Sequence, residues 1–328
     1  MEIIKINFNT YRRHLILLIK IVIPITIFSF IINKIPANEL KEFYSASIII
    51  SILAGTGLFT IANLVGAWRW KIVSEYHDIR LPLYWYVRTC LEGVALSLIL
   101  PSSVGGDMWR IGRQTYMHKK IIVALQTIFI DRVSGLLAAT IICIISLFFC
   151  YMAFSPNIRD QMTILFSVAF ILILLSIVLL RHIRSLSWLL RPLERNIELL
   201  QKSVNFITDY KKVFVVLIMA ILIQASAICV LFTQVAPFGA ELTITEGAFT
   251  VMFAVLASTI PITLGGWGIR EGTLIMALTA FGIPGSTAIK ISLMFGIALL
   301  LSAIPGAVLF FFLSKHDTKI EYKSISHE

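Results

Sequence analysis

Charged residues are scarce in this 328-residue chain: they make up 14%, against 58% hydrophobic residues, where a soluble globular chain carries about 25% charged and roughly 45 to 50% apolar residues. That shortage excludes a string of soluble domains, a coiled coil, a disordered chain and a nucleic-acid-binding domain. Acidic residues are the scarcer sign, 18 against 28 basic, for a formal charge of +10. In so apolar a chain Lys and Arg belong to cytoplasmic loops, where they set orientation and meet anionic head groups. No nucleic acid is needed to explain them. Only four cysteines occur, Cys90, Cys143, Cys150 and Cys229, none in CxxC spacing. They read as small buried hydrophobes, with neither disulfide nor metal indicated. The six histidines never recur at i, i+4, which removes the zinc-helix motif; no cofactor or metal is expected. No cleavable leader is expected either. Lys5, Arg12 and Arg13 precede an apolar run, but Asn33-Lys34-Ile35-Pro36 offers no small-residue cleavage site, so the run is read as a retained first span.

What the chain has in abundance is long apolar runs, and a span needs roughly 20 such residues in helical form. Stretches at 14–32, 46–67, 121–150, 161–180 and 213–235 meet this, and a sixth at 288–313 begins near Lys290. Two more, 81–106 and 247–282, are each interrupted by proline and a double glycine. Basic residues gather in 68–90, 107–120 and 181–212, which places these segments at the cytoplasmic face. Segments 33–45, 151–160 and 236–246 carry no such excess and face outward. Because 68–80 and 107–120 share a side, the stretch between them enters and leaves from the same face, as a re-entrant hairpin. The second interrupted stretch is re-entrant from outside.

The two interruptions match without a gap. Pro101-Ser-Ser-Val-Gly105-Gly106-Asp107-Met-Trp-Arg110-Ile-Gly112 aligns with Pro261-Ile-Thr-Leu-Gly265-Gly266-Trp-Gly268-Ile-Arg270-Glu271-Gly272, sharing Pro, both glycines, Arg and a further Gly. Chance supplies about one identity in such a window. Asp131 and Lys290 follow their prolines at nearly equal distance. The expected fold is therefore all-α: a polytopic helical membrane protein with about six spanning helices and two re-entrant broken-helix hairpins in inverted-topology repeats. One integral membrane domain fills 1–328, with repeat one at 46–150 around hairpin 81–120 and repeat two at 213–313 around hairpin 247–282. The segment 181–212 between them reads as an amphipathic linker on the inner leaflet.

Broken helices at matching positions of inverted halves are the sequence sign of a transporter with a midplane site. Gly-Gly lets backbone come close to a ligand, Pro stops the preceding helix, and the new half-helix aims free N–H groups at the break. Arg110 and Arg270, about one turn into the new half-helices, could clamp phosphate, with Asp107 and Glu271 orienting them or carrying a proton. Glycine pairs also serve close helix packing alone; two matched copies with arginine favour a site. A charge at the bilayer centre costs about 2.5 to 3.5 kcal/mol and calls for a partner or a wet cavity, which singles out Glu92, Asp131, Arg132 and Lys290. Asp131 and Arg132 point about 100° apart on a helix and so serve different partners. The alternative for Asp131 is an interhelical pair with Arg110 or Arg270. Arg88 reads as interfacial, Lys20 as snorkelling, and Trp68-Arg69-Trp70-Lys71 as an interfacial anchor. Ala62 with Gly66 and Ser302 with Gly306 are small-xxx-small pairs for packing.

Trp68-Arg69-Trp70, Pro101 with Gly105-Gly106-Asp107 and Arg110, Asp131-Arg132 with Gly135, and Pro261 with Gly265-Gly266, Gly268, Arg270 and Glu271 together resemble the lysylphosphatidylglycerol synthase transmembrane region family, also called flippase-like. The resemblance covers nearly the whole chain. It implies a membrane domain linked with moving lipids or lipid-linked sugars, often beside envelope or glycan biosynthesis enzymes. The full synthases add a soluble aminoacyl-transferase domain, for which no residues remain before Glu328, so lysyl transfer is not expected. The expected function is translocation of an anionic phospholipid or isoprenoid-linked glycan across the cytoplasmic membrane, both termini inside, with no enzymatic step. The alternative is a membrane scaffold or regulator of a glycosyltransferase or lipid synthase. An intramembrane enzyme would need an activated nucleophile or metal cluster, and no group of that kind is visible.

Overall fold

A computed structural model describes residues 45–99, 104–118, 120–150, 206, 209–259 and 268–313. The expected spans 14–32 and 161–180, most of the linker 181–212, and Pro101, Pro261, Gly265 and Gly266 lie outside them. The described residues contain eight α-helices and no strand. They are α1 (Ala46–Tyr76), α2 (Leu83–Ile99), α3 (Val104–His118), α4 (Ile121–Cys150), α5 (Tyr210–Val235, continued by a 3-10 turn Ala236–Phe238), α6 (Ile244–Ser258), α7 (Ile269–Ala280) and α8 (Gly285–Val308, continued by a π turn Leu309–Leu313).

Four helices, α1, α4, α5 with its 3-10 turn and α8 with its π turn, are long and apolar enough to cross a membrane. They coincide with the four expected spans among the described residues. The protein is thus an all-α polytopic membrane protein. α1 departs from expectation in length: its 31 residues reach about 46 Å, well beyond a hydrocarbon core of about 30 Å. Residues 68–76, expected to lie in a loop, are its last turns.

Each interrupted stretch is a pair of short helices, α2 with α3 and α6 with α7, none longer than 17 residues, about 26 Å at most. The packing repeats between the halves. α2 packs on α3 and on α8; α6 packs on α7 and on α4. α1 contacts α8, as α5 contacts α4, and the broadest contact is between α1 and α5. These last two run antiparallel, since Gly55 faces Val230 and Gln234 while Gly66 faces Ile223, and Gln234 Nε2 donates to the Ser51 carbonyl at 3.0 Å. The same scheme is therefore traced in opposite directions by the two halves at their shared helix pair.

Buried glycines set how closely the helices meet. A methyl on Gly306 would overlap the Leu91 carbonyl, so α8 crosses α2 backbone against side-chain-free backbone, with buried Ser302 one turn away. The pair Ser302 and Gly306 is a packing device, as its spacing implies. One apolar core joins Phe59, Cys143, Val230, Phe249, Leu274 and Ile291 from both halves. A second, under α3, holds Trp70, Trp85 and Tyr86.

Candidate functional site

Arginine inside a membrane protein persists only where carboxylates or water meet it, and α1 brings the first such group. Helical periodicity puts Arg69 and Trp70 on the stripe of Ala62, Val73 and Ser74, all buried, whereas Trp68 lies on the opposite side and is 55% exposed. The expected interfacial anchor is corrected accordingly: only Trp68 has the exposure of an anchor, and Arg69 is an interior charge. The i+3 and i+4 spacing from Ala62 through Ser74 already carried that signal. The loop assignment of 68–76 concealed it.

Arg69 Nε donates to Asp131 Oδ1 at 2.8 Å, and Arg110 Nη2 donates to Asp131 Oδ2 at 2.9 Å. One carboxylate of α4 thus ties α1 to α3. Arg110 Nη1 stands 3.5 Å from Asp107 Oδ1, one turn back on α3, and Arg132 Nε donates to Asp107 Oδ2 at 2.5 Å. The result is a row, Arg69, Asp131, Arg110, Asp107, Arg132, in which charges alternate across three helices. Asp131 is only 3% exposed, but the Arg132 side chain at the other end is 46% exposed. The row starts in the interior and opens at Arg132.

Neighbours hold this row in place. The Arg110 guanidinium lies 4.2 Å from the centroid of the Trp70 ring, a cation–π contact. Beyond it a neutral ladder binds the same helices: Thr127 Oγ1 donates to Gln114 Oε1 at 2.8 Å, and Gln114 Nε2 donates to Ser74 Oγ at 3.0 Å. Asp131 and Arg132 serve different partners, as their angular separation requires, and of the two pairings open to Asp131 the one with Arg110 is formed. Arg69, Gln114 and Thr127 are additions that sequence reasoning missed.

Gly105 and Gly106 are already inside α3. A methyl on Gly106 would overlap the Gly93 carbonyl oxygen and stand 2.9 Å from its carbon; what the glycine lets approach is the backbone of α2. Gly112 and Gly272, also shared between the halves, have no such neighbour within 4 Å.

The second hairpin is built differently. Gly268 has φ 88°, a left-handed value that favours glycine, and its N–H donates to Glu271 Oε2 at 2.6 Å. Glu271 caps α7 in this way while its other oxygen accepts from Arg270 Nε at 3.0 Å and from Arg270 Nη2. Both are buried. Arg270 and Glu271 are brought together on their own hairpin, with Ser292 of α8 donating to the Glu271 carbonyl at 3.4 Å. Lys290 is buried beside Phe238, 5.9 Å from its ring centroid. Glu92 sits on the far face of the first hairpin, paired with Arg88 at 3.0 Å; Arg88, expected at the interface, is largely buried there.

A family model for the lysylphosphatidylglycerol synthase TM region matches residues 17–306, a stretch that includes both hairpins and the whole charge row. The chain belongs to this family. Lysylphosphatidylglycerol synthase transmembrane regions are membrane domains of lipid-related, flippase-like association, so the coarse expectation drawn from the quoted motifs holds. Comparison with curated proteins and with solved structures finds no match.

Proposed function

We propose that this member of the lysylphosphatidylglycerol synthase transmembrane family translocates an anionic phospholipid or isoprenoid-linked glycan across the cytoplasmic membrane, without chemical change to it. The observation that carries the reading is the charge row itself, which runs from buried Asp131 to the exposed guanidinium of Arg132. A phosphate offers the same paired oxygens as the carboxylates of Asp107 and Asp131, so it replaces them on Arg132 and Arg110 with little rearrangement of the guanidinium groups. Arg132, the exposed member, makes first contact; Arg110, fixed by Trp70 and Asp131, receives the phosphate deeper in. Segments 46–150 and 213–313 act as inverted repeats that shift along the α1 and α5 pair to expose the site alternately, with Arg270 supplying the cation of the second hairpin. The family description and the repeated packing scheme support this reading.

Leaflet exchange in vesicles tests it. Wild-type protein reconstituted with labelled phosphatidylglycerol or an undecaprenyl-linked sugar is expected to accelerate exchange, and the folded double variant Arg110→Ala, Arg270→Ala to lose at least nine-tenths of that rate, about 1.4 kcal/mol or more of lost stabilisation. Absence of exchange with either lipid class would overturn translocation and leave a scaffold for a glycosyltransferase or lipid synthase.

Orientation has its own check. In a background without reactive native cysteines, Asn38→Cys is expected to label with a membrane-impermeant maleimide only from outside, and Asn196→Cys only from inside. The reverse pattern would sink the inverted-repeat arrangement.

A further inference from the structure

α3 carries charge on two faces. Asp107, Arg110 and Gln114 turn toward α1 and α4, whereas Trp109 and Arg113 turn toward Glu92 on α2; Tyr116 follows them at i+7 on α3, and Tyr84, Arg88 and Glu92 recur at i, i+4 and i+8 along α2. We propose that the groove between these two faces is a second anion site, separate from the Asp131 row, that takes the phosphodiester of an anionic phospholipid from the adjoining leaflet.

Its donor set points to that ligand. Glu92, 1% exposed, accepts from Arg88 Nε at 3.0 Å and from Trp109 Nε1 at 2.9 Å. Arg113 Nε stands 3.9 Å away, close enough to pair in charge but too far to hydrogen-bond. Arg113 Nε and Nη2, buried, have no hydrogen-bond partner among the described residues. Those two groups form one edge of the guanidinium, the fork that fits two oxygens of a phosphate, and leaving both donors buried and unpaired is costly.

The surroundings favour a lipid over a free anion. Tyr84 and Tyr116, at the open end of the hairpin, are 62% and 64% exposed, as aromatic side chains are at a head-group boundary. Trp109 packs on Phe310 at 5.1 Å between centroids, closing the inner end. Nor does the hairpin fold require these charges. The shift of 160 residues that carries Pro101 onto Pro261 carries Arg88, Glu92, Trp109 and Arg113 onto Ala248, Met252, Ile269 and Thr273.

Native mass spectrometry of the full chain, titrated with phosphatidylglycerol or with phosphatidylcholine of the same acyl chains, tests the groove. Wild type is expected to retain phosphatidylglycerol preferentially, and Arg113→Gln to bind it about tenfold more weakly through loss of charge-assisted bonds. Glu92→Gln removes the competing carboxylate charge while still accepting from Trp109, and is expected to bind several-fold more tightly. Should Arg113→Gln fail to fold, Arg113→Lys carries the test: it keeps the charge, loses the fork, and is expected to weaken binding by a smaller factor. A role in packing alone would lower thermal stability in these variants and leave the lipid preference unchanged, which overturns the proposal. Displacement of the lipid by millimolar inorganic phosphate would assign the groove to a free anion and overturn the lipid assignment. Because the readout is binding, a chain that binds here yet exchanges no lipid refutes translocation and leaves this site standing.

Discussion

Asp131→Asn is expected to be the most damaging of the conservative substitutions in this protein. The carboxylate bonds two buried arginines from two other helices, Arg69 at 2.8 Å and Arg110 at 2.9 Å. An amide of the same shape has one accepting oxygen and turns an N–H₂ toward the second guanidinium. One arginine then loses its hydrogen-bonded carboxylate, Arg110 keeping only the longer contact with Asp107 at 3.5 Å, and removing one partner of a buried pair costs about 3 to 5 kcal/mol. For a fold whose stability is of order 5 to 15 kcal/mol, that is a large share. Unfolding in detergent should show it as a fall in the midpoint that added salt barely changes, because buried pairs are poorly screened. Arg69→Gln should cost less, since Asp131 keeps Arg110. A variant Asp131→Asn as stable as wild type would show that the row does not tie α1, α3 and α4 together.

Gly306→Ala is expected to lose about 3 kcal/mol, at the upper end for overpacking, because the group in the way is backbone and cannot rotate aside. The added methyl would overlap the Leu91 carbonyl and lie 3.1 Å from the Glu92 nitrogen. Either α8 retreats or α2 shifts, and a shift of α2 carries Glu92 with it, away from Trp109 and Arg88. Gly112→Ala provides the control. Nothing stands within 4 Å of that position, and alanine within a helix is favoured over glycine by about 1 kcal/mol, so this variant should be as stable as wild type or more so. Chemical denaturation of the three proteins in the same detergent checks both expectations. Equal losses at the two positions would mean that Gly306 is not a point of helix contact.

The hairpins were readable before any coordinates because proline, paired glycine and a following arginine are local instructions: they stop one helix and start another whatever the surroundings. The described helices flank these motifs, with α2 running to Ile99 and α3 from Val104, and α6 to Ser258 and α7 from Ile269. Arg69 shows where such reading stops. Beside two tryptophans at the end of an apolar run it has the composition of an interfacial anchor, and only the continuation of α1 to Tyr76 turns it inward. Gly106 is similar. Its sequence context allows a ligand contact or a helix contact, and the choice depended on Gly93, 13 positions away on another helix.

The amino-acid sequence by itself determined that this chain is helical and membrane-spanning, and that its apolar stretches 81–106 and 247–282 are interrupted by proline and paired glycine. These properties follow from apolar run length and backbone chemistry, which act within a few residues. Which charges meet was decided by the tertiary structure. Asp131 has arginines from α1 and α3 within reach because those helices cross there, and Glu271 turns to its own neighbour because the α7 terminus offers the Gly268 N–H. Electrostatic partners inside a membrane are chosen by proximity in space, and no spacing along the chain encodes a distance between helices.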